Sequence, residues 1–345
     1  MGINLFKIRC MPMKWLYLLC GFLSVSLGFY AQVETGSWRL HTATMRALDI
    51  AQDDEFVYTA YENGLMKYHL ASKEKTLLNK MNGLSDILLS CIYFDTIDQA
   101  LYIGYKNGNI DKVSGNTIIN IPAIKLASIS GSKKINRFYR YGTTIYIATD
   151  FGVVLVNPLK NEIKDTYYPT NSVQPIVDIE IKDQQILALS PSKLFIGNIG
   201  DVLLPSPQGW TQDMRVPMVF NSTYAAIEKV NEEVFVLQKS NAFGNDTILK
   251  LTPTEFVYFD YYSVGLEISN LTQHENKLDV LADGALLTYN SSGQLIESAL
   301  SFYLGIYFRP NQMVVLENGE KWMADEFSGP IRVIGEYSYE KVTYP

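Results

Sequence analysis

A segment of about ten residues recurs along the chain at an almost constant interval, and this repeat limits the possible folds more than any other feature. Its three clearest copies contain the glycines Gly64, Gly108 and Gly152, which are separated by 44 residues each time. In each copy, one apolar run precedes the glycine and a second one follows it. A strand, a tight turn and a strand, repeated every 40–45 residues or so, are typical of one blade of a β-propeller. The repeat therefore predicts an all-β propeller.

Four weaker copies follow the three clear ones. They begin near Leu187, Val234, Leu278 and Lys321. Seven units of 44 residues fill nearly all of the 314 residues from Gln32 to the end of the chain. We therefore predict a single domain, residues 32–345, that is a seven-bladed β-propeller. Because an open ring would leave exposed sheet edges, we expect the N-terminal strand near Trp38 to close the last blade beside Ile331–Ile334.

The turns and the segments between them fit this prediction. Asn63-Gly64 and Asn107-Gly108 are Asn-Gly pairs, and we expect both to supply the positive φ that a tight hairpin requires. The apolar segments that lie between the hairpins suit the innermost strands of the blades. These segments are residues 88–94, 135–139, 176–181, 224–227 and 313–316.

The first 31 residues have the pattern of a secretory signal peptide. Lys7, Arg9 and Lys14 form a basic start, Trp15–Phe29 is apolar, and a cleavage site can be placed before Gln32. The apolar run is too short for an ordinary membrane span. We therefore predict that the protein is exported.

The composition of the mature chain excludes some classes of function. Without Lys7, Arg9 and Lys14, 26 basic residues face 36 acidic ones, so the formal charge is −10. Nucleic-acid binding needs a basic surface, so the acidic balance argues against this role. Cys91 is the one cysteine after residue 31, so no disulfide can form within the mature chain. Its apolar neighbours predict a buried thiol.

No motif for catalysis or metal binding stands out. The three histidines are isolated in the sequence: His41, His69 and His274. Residues 107–111 resemble the first half of a calcium loop, but Lys112 and Ile118 occupy the positions of its glycine and its glutamate. A nucleophile elbow and a phosphate-binding glycine loop are also missing. We therefore predict a protein that is not an enzyme and that needs no metal or cofactor.

The polar residues near the predicted turns are the candidates for a binding site. Hairpin turns and the loops that enter inner strands emerge on one side of a propeller, and binding residues tend to lie on such loops. The candidates are Asn82, Asp86, Asn107, Asn109, Asp111 and Asp150. A purely structural role in the turns remains open for all six, since Asn and Asp also favour turns.

Five short motifs occur in order at the spacing of the blades. They are Trp38–His41, Asn82–Asp86, Tyr105–Asp111, Ala148–Val154 and Asp165–Tyr167. Together they resemble the N-terminal propeller of the PorZ family, which belongs to the type IX secretion system of Bacteroidota. The resemblance covers residues 38–345 and is strongest before residue 170. It implies the N-terminal part of a longer multidomain protein, located in the periplasm or on the outer-membrane surface of a Gram-negative bacterium.

The resemblance also implies a function. PorZ-like proteins are non-catalytic components of the complex that attaches secreted cargo to the cell surface. The implied partners are PorU-, PorV- and PorQ-like proteins, with anionic lipopolysaccharide as a second ligand. The main alternative is the periplasmic sensor of a hybrid two-component receptor, which uses similar propellers. A third alternative, a lyase or glycosidase, lacks an evident pair of acidic residues.

Overall fold

The part of the chain that the structure describes contains twenty-eight β-strands, which are grouped into seven antiparallel sheets of four. The structure is a computed structural model that describes residues 46–217, 221–259, 265–334 and 338–343, without the side chains of residues 302 and 303. All of these residues belong to the compact unit Thr42–Pro345. The predicted signal peptide lies outside the described residues.

The first four sheets, blades 1 to 4, each consist of four strands that are consecutive in the chain. Blade 1 contains β1 (Asp49–Gln52), β2 (Phe56–Tyr61), β3 (Gly64–His69) and β4 (Lys75–Leu78). Blade 2 contains β5 (Leu89–Asp95), β6 (Ala100–Tyr105), β7 (Ile110–Ser114) and β8 (Thr117–Ile121), and the short helix α1 (Ala123–Leu126) follows it. Blade 3 contains β9 (Ile135–Tyr141), β10 (Thr144–Thr149), β11 (Gly152–Asn157) and β12 (Glu162–Tyr167). Blade 4 contains β13 (Asp178–Lys182), β14 (Gln185–Leu189), β15 (Leu194–Asn198) and β16 (Trp210–Gln212), with a 3-10 turn at Pro207–Gly209.

Blades 5 to 7 repeat this order. Blade 5 contains β17 (Ser222–Val230), β18 (Glu233–Ser240), β19 (Thr247–Leu251) and β20 (Phe256–Tyr258). Blade 6 contains β21 (Ile268–His274), β22 (Lys277–Ala282), β23 (Ala285–Tyr289) and β24 (Leu295–Leu300), followed by the helix α2 (Ser301–Leu304). Blade 7 contains β25 (Pro310–Val315), β26 (Lys321–Asp325), β27 (Gly329–Ile334) and β28 (Ser338–Lys341). The predicted seven-bladed β-propeller is thus confirmed.

The burial of the strands follows from the stacking of the blades. In β6 and β10, every residue is buried, because each of these strands is covered by a neighbouring blade on both faces. The outermost strands β8 and β12 are largely exposed or half-buried, as their more polar sequences predict. The first strand of each blade touches the first strand of the next, and β25 touches β1, so the inner strands form a closed ring.

A separate apolar cluster fills each of the seven interfaces between blades in the described part of the chain. Between blades 7 and 1, the cluster contains Trp322 from β26 and Tyr68 from β3, whose ring centroids are 4.9 Å apart. Hydrophobic burial therefore acts between consecutive blades, each of which lacks a core of its own.

Hydrogen bonds from side chains to the neighbouring backbone reinforce each interface near the inner strands. In three cases, a carboxylate accepts from a backbone N–H of the next blade: Asp49 from Ile92 at 2.8 Å, Asp178 from Ile227 at 2.9 Å and Asp246 from Ile268 at 2.8 Å. In the other four contacts, a side chain donates to a backbone carbonyl of the next blade: Cys91 Sγ to Ile135 O, Asn136 Nδ2 to Ile176 O, Asn270 Nδ2 to Asn311 O, and Asn311 Nδ2 to Ala47 O. The last contact joins blade 7 to blade 1. Cys91 is a buried strand thiol, as predicted.

Closure of the ring differs from our expectation for the N-terminal strand. Trp38 lies outside the described residues. Both edges of β27, which includes Ile331–Ile334, are already paired, one with β26 and the other with β28. Blade 7 therefore obtains all four of its strands from the C-terminal segment, and the described part of the ring closes by packing and hydrogen bonds between blades 7 and 1.

One turn glycine behaves as expected and another does not. Gly108 has φ +83°, and an added Cβ would lie 2.7 Å from Ile124 Cγ2. Neither Asn63 nor Gly64 is among the described residues with positive φ, so our expectation for that pair was wrong. A Cβ on Gly64 would instead lie 2.8 Å from the carbonyl oxygen of Leu78, which means that the close approach of β4 requires the glycine.

We predict that Trp322→Ala lowers the free energy of unfolding by about 3–5 kcal/mol, because the fully buried indole fills the interface that closes the ring. Urea denaturation of both proteins measures this difference. Leu159→Ala serves as a control, since Leu159 is 82% exposed and its truncation removes little buried area. A loss of less than about 1 kcal/mol would show that blades 7 and 1 do not depend on this contact.

Candidate functional site

Asp86 is the centre of a polar cluster above blade 2. Its carboxylate accepts hydrogen bonds from Lys125 Nζ at 2.7 Å and from Asn107 Nδ2 at 2.6 Å, and Lys80 Nζ lies 3.5 Å away. Burial by itself would raise the pKa of Asp86, but the hydrogen bonds from Lys125 and Asn107 outweigh burial and hold this pKa well below its usual range. Asp86 is thus an anion that holds Lys125, Asn107 and Lys80 close to one another.

Asn109 and Asp111 lie inside the blade and not on its surface. The Asp111 carboxylate accepts from Ser85 N–H at 2.8 Å, Tyr105 O–H at 2.7 Å and Asn120 Nδ2 at 2.9 Å. Asn120 Nδ2 also donates to Asn109 Oδ1 at 2.9 Å. Both predicted residues are buried, so they fix the loop before β5 onto blade 2 and cannot meet a partner in the folded protein.

The other predicted residues are nearer to solvent. Asn82 accepts from Asn79 N–H at 2.6 Å and donates to Leu77 O at 2.7 Å within its own turn. Asp150 accepts from Ser132 O–H at 2.6 Å and from Asn136 Nδ2 at 2.9 Å. These side chains stabilise the turns, and contact with a ligand stays a prediction for Asn82, Asn107 and Asp150.

The expectation that these loops share one side of the propeller agrees with several contacts. Lys106 Nζ lies 2.6 Å from Glu62 Oε1, which joins the β6–β7 turn to the β2–β3 turn. Lys106 N–H also donates to Leu88 O at 2.9 Å, in the loop that enters β5. We name this side the turn face: it carries the turn between the second and third strands of each blade and the loop that enters the next blade. Antiparallel order places both at the same end of the strands.

The central channel is a second candidate site, and it was missed in the sequence. A cavity of about 680 Å³ is lined by residues from the inner strands of all seven blades. The guanidinium of Arg137 bridges two of its carboxylates, at 3.1 Å from Asp178 and 2.5 Å from Glu228. Tyr139 O–H donates to Glu180 close by. One arginine from blade 3 thus braces carboxylates of blades 4 and 5.

The channel changes the acidity of these carboxyl groups. Burial raises the pKa of Glu228 to about 8 and that of Asp178 to about 6, although the charge of Arg137 acts in the opposite direction. Burial also raises the pKa of Asp49 to about 6. A signal for this site exists in the sequence, since charged residues interrupt the apolar inner strands at Asp178, Glu180 and Glu228. Their convergence, however, depends on the ring.

We predict that the protein loses stability as the pH rises from about 4.5 to about 8, because of Glu228. The pKa of Glu228 is higher in the folded state than in the unfolded state, so the folded protein binds this proton more tightly. The resulting stabilisation is complete at pH values below the pKa of the unfolded state, and it is lost as the pH rises through the pKa of the folded state. The slope is at most about 1.4 kcal/mol per pH unit for one group. Urea midpoints at several pH values should show a smaller slope for Glu228→Gln than for the wild type. Glu232→Gln, at an exposed position, is the control; equal slopes in all three proteins would contradict the prediction.

A further groove of about 380 Å³ lies between the outer parts of blades 1 and 2. Phe56, Tyr58 and Leu78 line it together with the amides of Asn82 and Asn116. The Nζ atom of Lys67 lies 3.6 Å from the centroid of the Phe56 ring. The groove therefore combines aromatic surface, amide groups and a cation.

Two features bear on metal binding and membranes. Within the described residues, no group of three or more His, Cys, Asp or Glu side chains is arranged to hold a metal ion. His274 contacts Asp279 on the neighbouring strand, whereas His41 lies outside the described residues. The described part of the chain also contains no helix that is both long and apolar enough to cross a membrane.

One family of known proteins matches part of the chain. Residues 57–211 match the family described as type IX secretion system PorZ, N-terminal β-propeller domain. This match confirms the resemblance that the sequence motifs predicted. A search of curated proteins gave no match.

Solved structures share the fold. PorZ of Porphyromonas gingivalis, described as an essential bacterial surface component of the type IX secretion system, superposes with a TM-score of 0.72 at 19% identity, over 90% of this chain and 39% of that one. The extracellular domain of a putative hybrid two-component system from B. thetaiotaomicron superposes with a TM-score of 0.63 at 13% identity, and the match covers 85% of this chain and 41% of that one. The WD40 propeller of Doa1 superposes with a TM-score of 0.59 at 11% identity, and the match covers 88% of this chain and 96% of that one. The present chain thus spans about 39% of the length of PorZ.

Proposed function

Because residues 57–211 match the family model of the PorZ N-terminal propeller, we propose that this protein is a non-catalytic binding component of the type IX secretion attachment complex at the cell surface. The family match is the observation that carries this proposal. The structure supports a binding role because its seven blades form a rigid ring, and the loops on the turn face project from this ring. The proposed location is the periplasm or the outer-membrane surface.

Protein partners are the first proposed ligand class. PorU-, PorV- and PorQ-like proteins are the partners that the family implies. The turn face offers exposed side chains held by a well-ordered hydrogen-bond cluster around Asp86, which is the kind of preorganised surface that limits the entropy lost on association.

Deletion of the gene in the bacterium that encodes this protein is the test of the proposed function. We predict that cargo of the type IX system loses its attachment to the surface and accumulates unprocessed, and that the full-length gene restores attachment. A tagged full-length protein should co-purify with the PorV- and PorU-like proteins. Normal cargo attachment in the deletion strain would contradict the proposal.

The same strain distinguishes the alternative function. The fold shared with a putative hybrid two-component system favours a ligand-sensing propeller as the second candidate. In that case, deletion should change the transcription of a defined gene set and leave cargo attachment intact. Measuring both properties in one strain separates the two functions.

Anionic lipopolysaccharide is the second proposed ligand class. The groove beside Phe56 and Tyr58 supports it, because sugar rings stack on aromatic side chains and their hydroxyls bond to amides such as Asn116. Lys67 adds a positive charge there.

We predict that purified anionic lipopolysaccharide is retained less well by Lys67→Glu than by the wild type in a surface-immobilised binding assay, because the change reverses the charge at the groove. Lys160→Glu is the control, since Lys160 lies in the β11–β12 turn, away from this groove. Equal binding by all three proteins would show that the groove is not the lipopolysaccharide site.

A further inference from the structure

We infer that the turn face above blade 2 is a docking surface for a partner-protein segment that presents apolar side chains next to carboxylates. This inference rests on the proposed function and names the chemistry of the partner. The surface, which we name the blade 2 patch, has an apolar part and a basic part. The apolar part contains Met81, Ile87, Leu88 and Leu126, and the basic part contains Lys80, Lys106 and Lys125.

The apolar side chains of the patch are exposed to solvent. Met81 is 68% exposed and Leu126 is 75% exposed, while Ile87 and Leu88 are 44% and 39% exposed. Single exposed apolar residues are normal, but a group of them on one surface marks an interaction site.

Asp86 brings the chain segments of the patch close together. Lys80 and Lys125 both approach the Asp86 carboxylate, at 3.5 and 2.7 Å. Met81 follows Lys80 in the chain, Leu126 follows Lys125, and Ile87 follows Asp86. Lys106 N–H donates to Leu88 O at 2.9 Å, which brings the remaining lysine beside the apolar part.

Backbone strain at Leu88 is an independent observation. Leu88 has φ +63°, and it is the one apolar residue among the described non-glycine residues with positive φ. The others are polar residues, most of them in tight turns. A leucine in the left-handed region is strained, and strain of this kind is concentrated at functional sites. Here it holds a partly exposed apolar side chain on the turn face.

The short helix α1 is held in place as well. Lys133 Nζ donates to Lys125 O at 2.8 Å and to Ala127 O at 2.7 Å. These bonds fix the end of α1, and with it the position of the exposed Leu126. A partner therefore meets a surface that is already ordered, which lowers the entropic cost of binding.

Charge identifies the class of partner. The three lysines of the patch face two carboxylates, Asp86 and Glu62, and Lys133 adds a fourth positive charge nearby. The local excess of positive charge contrasts with the net charge of −7 for the whole chain. An acidic segment is therefore attracted here more than to the rest of the surface.

The pairing of these lysines with carboxylates argues against a lipid surface. Clusters of about 4–8 basic residues are typical of proteins that bind anionic membranes. In this patch, Lys106 is paired with Glu62, and Lys80 and Lys125 share Asp86. An apolar centre with a charged rim is the ordinary anatomy of a protein–protein interface.

Two pairs of matched variants of the full-length protein test the inference. Leu126→Ser and Lys106→Glu change the patch, while Leu159→Ser and Lys160→Glu make the same changes in the β11–β12 turn, which lies at the opposite end of the strands. All four residues are exposed, so the variants should fold, and melting curves check this. The readout is recovery of the PorV- and PorU-like proteins with the tagged chain.

We expect Leu126→Ser and Lys106→Glu each to lower the recovery of these proteins about tenfold, equal to about 1.4 kcal/mol, with both controls unchanged. Wild-type recovery by both patch variants would overturn the docking surface and leave the proposed function intact. Failure of the wild-type protein to recover either partner would overturn both. Vesicles with 30 mol% phosphatidylglycerol are the second probe, and binding that Lys106→Glu abolishes would overturn the inference in favour of a lipid surface.

Discussion

The packing of each blade against the next is the interaction on which the rest of the structure depends. A four-stranded sheet that is apolar on both faces must bury both of them, and the second strands β6 and β10 are buried completely because neighbouring blades cover them on both sides. Each blade depends on its neighbours in this way, and the contact between Trp322 and Tyr68 packs blade 7 against blade 1. Loss of the last contact would therefore expose two apolar sheet faces at once.

The closed ring also creates the polar centre of the molecule. The inner strands bring Asp49, Asp178, Glu180 and Glu228 to one channel, where burial disfavours their charged forms and Arg137 compensates in part. Several of these groups also accept backbone N–H groups of the next blade. The channel carboxylates thus contribute to closing the ring, and their protonation links the stability of the protein to pH.

The turn face divides its polar residues between two roles. Asp111 and Asn109 are buried and bind the loop before β5 to blade 2, whereas Asp86 positions lysines that remain accessible. Such a division is common where a rigid scaffold supports a binding surface, because the supporting groups must be satisfied within the protein. The apolar side chains beside Asp86 remain exposed to solvent.

The sequence by itself determined the blade number, the hairpins and most inner and outer strands, because these depend on a local repeat and on short-range hydrophobic patterns. It also determined the PorZ resemblance, through motifs that retain their spacing. Only the tertiary structure decided that Asp111 is buried, that Gly64 is required by the approach of β4, and that Glu228 meets Arg137. These facts depend on contacts between segments far apart in the chain, and the residue types at those positions also suit ordinary turns and strands.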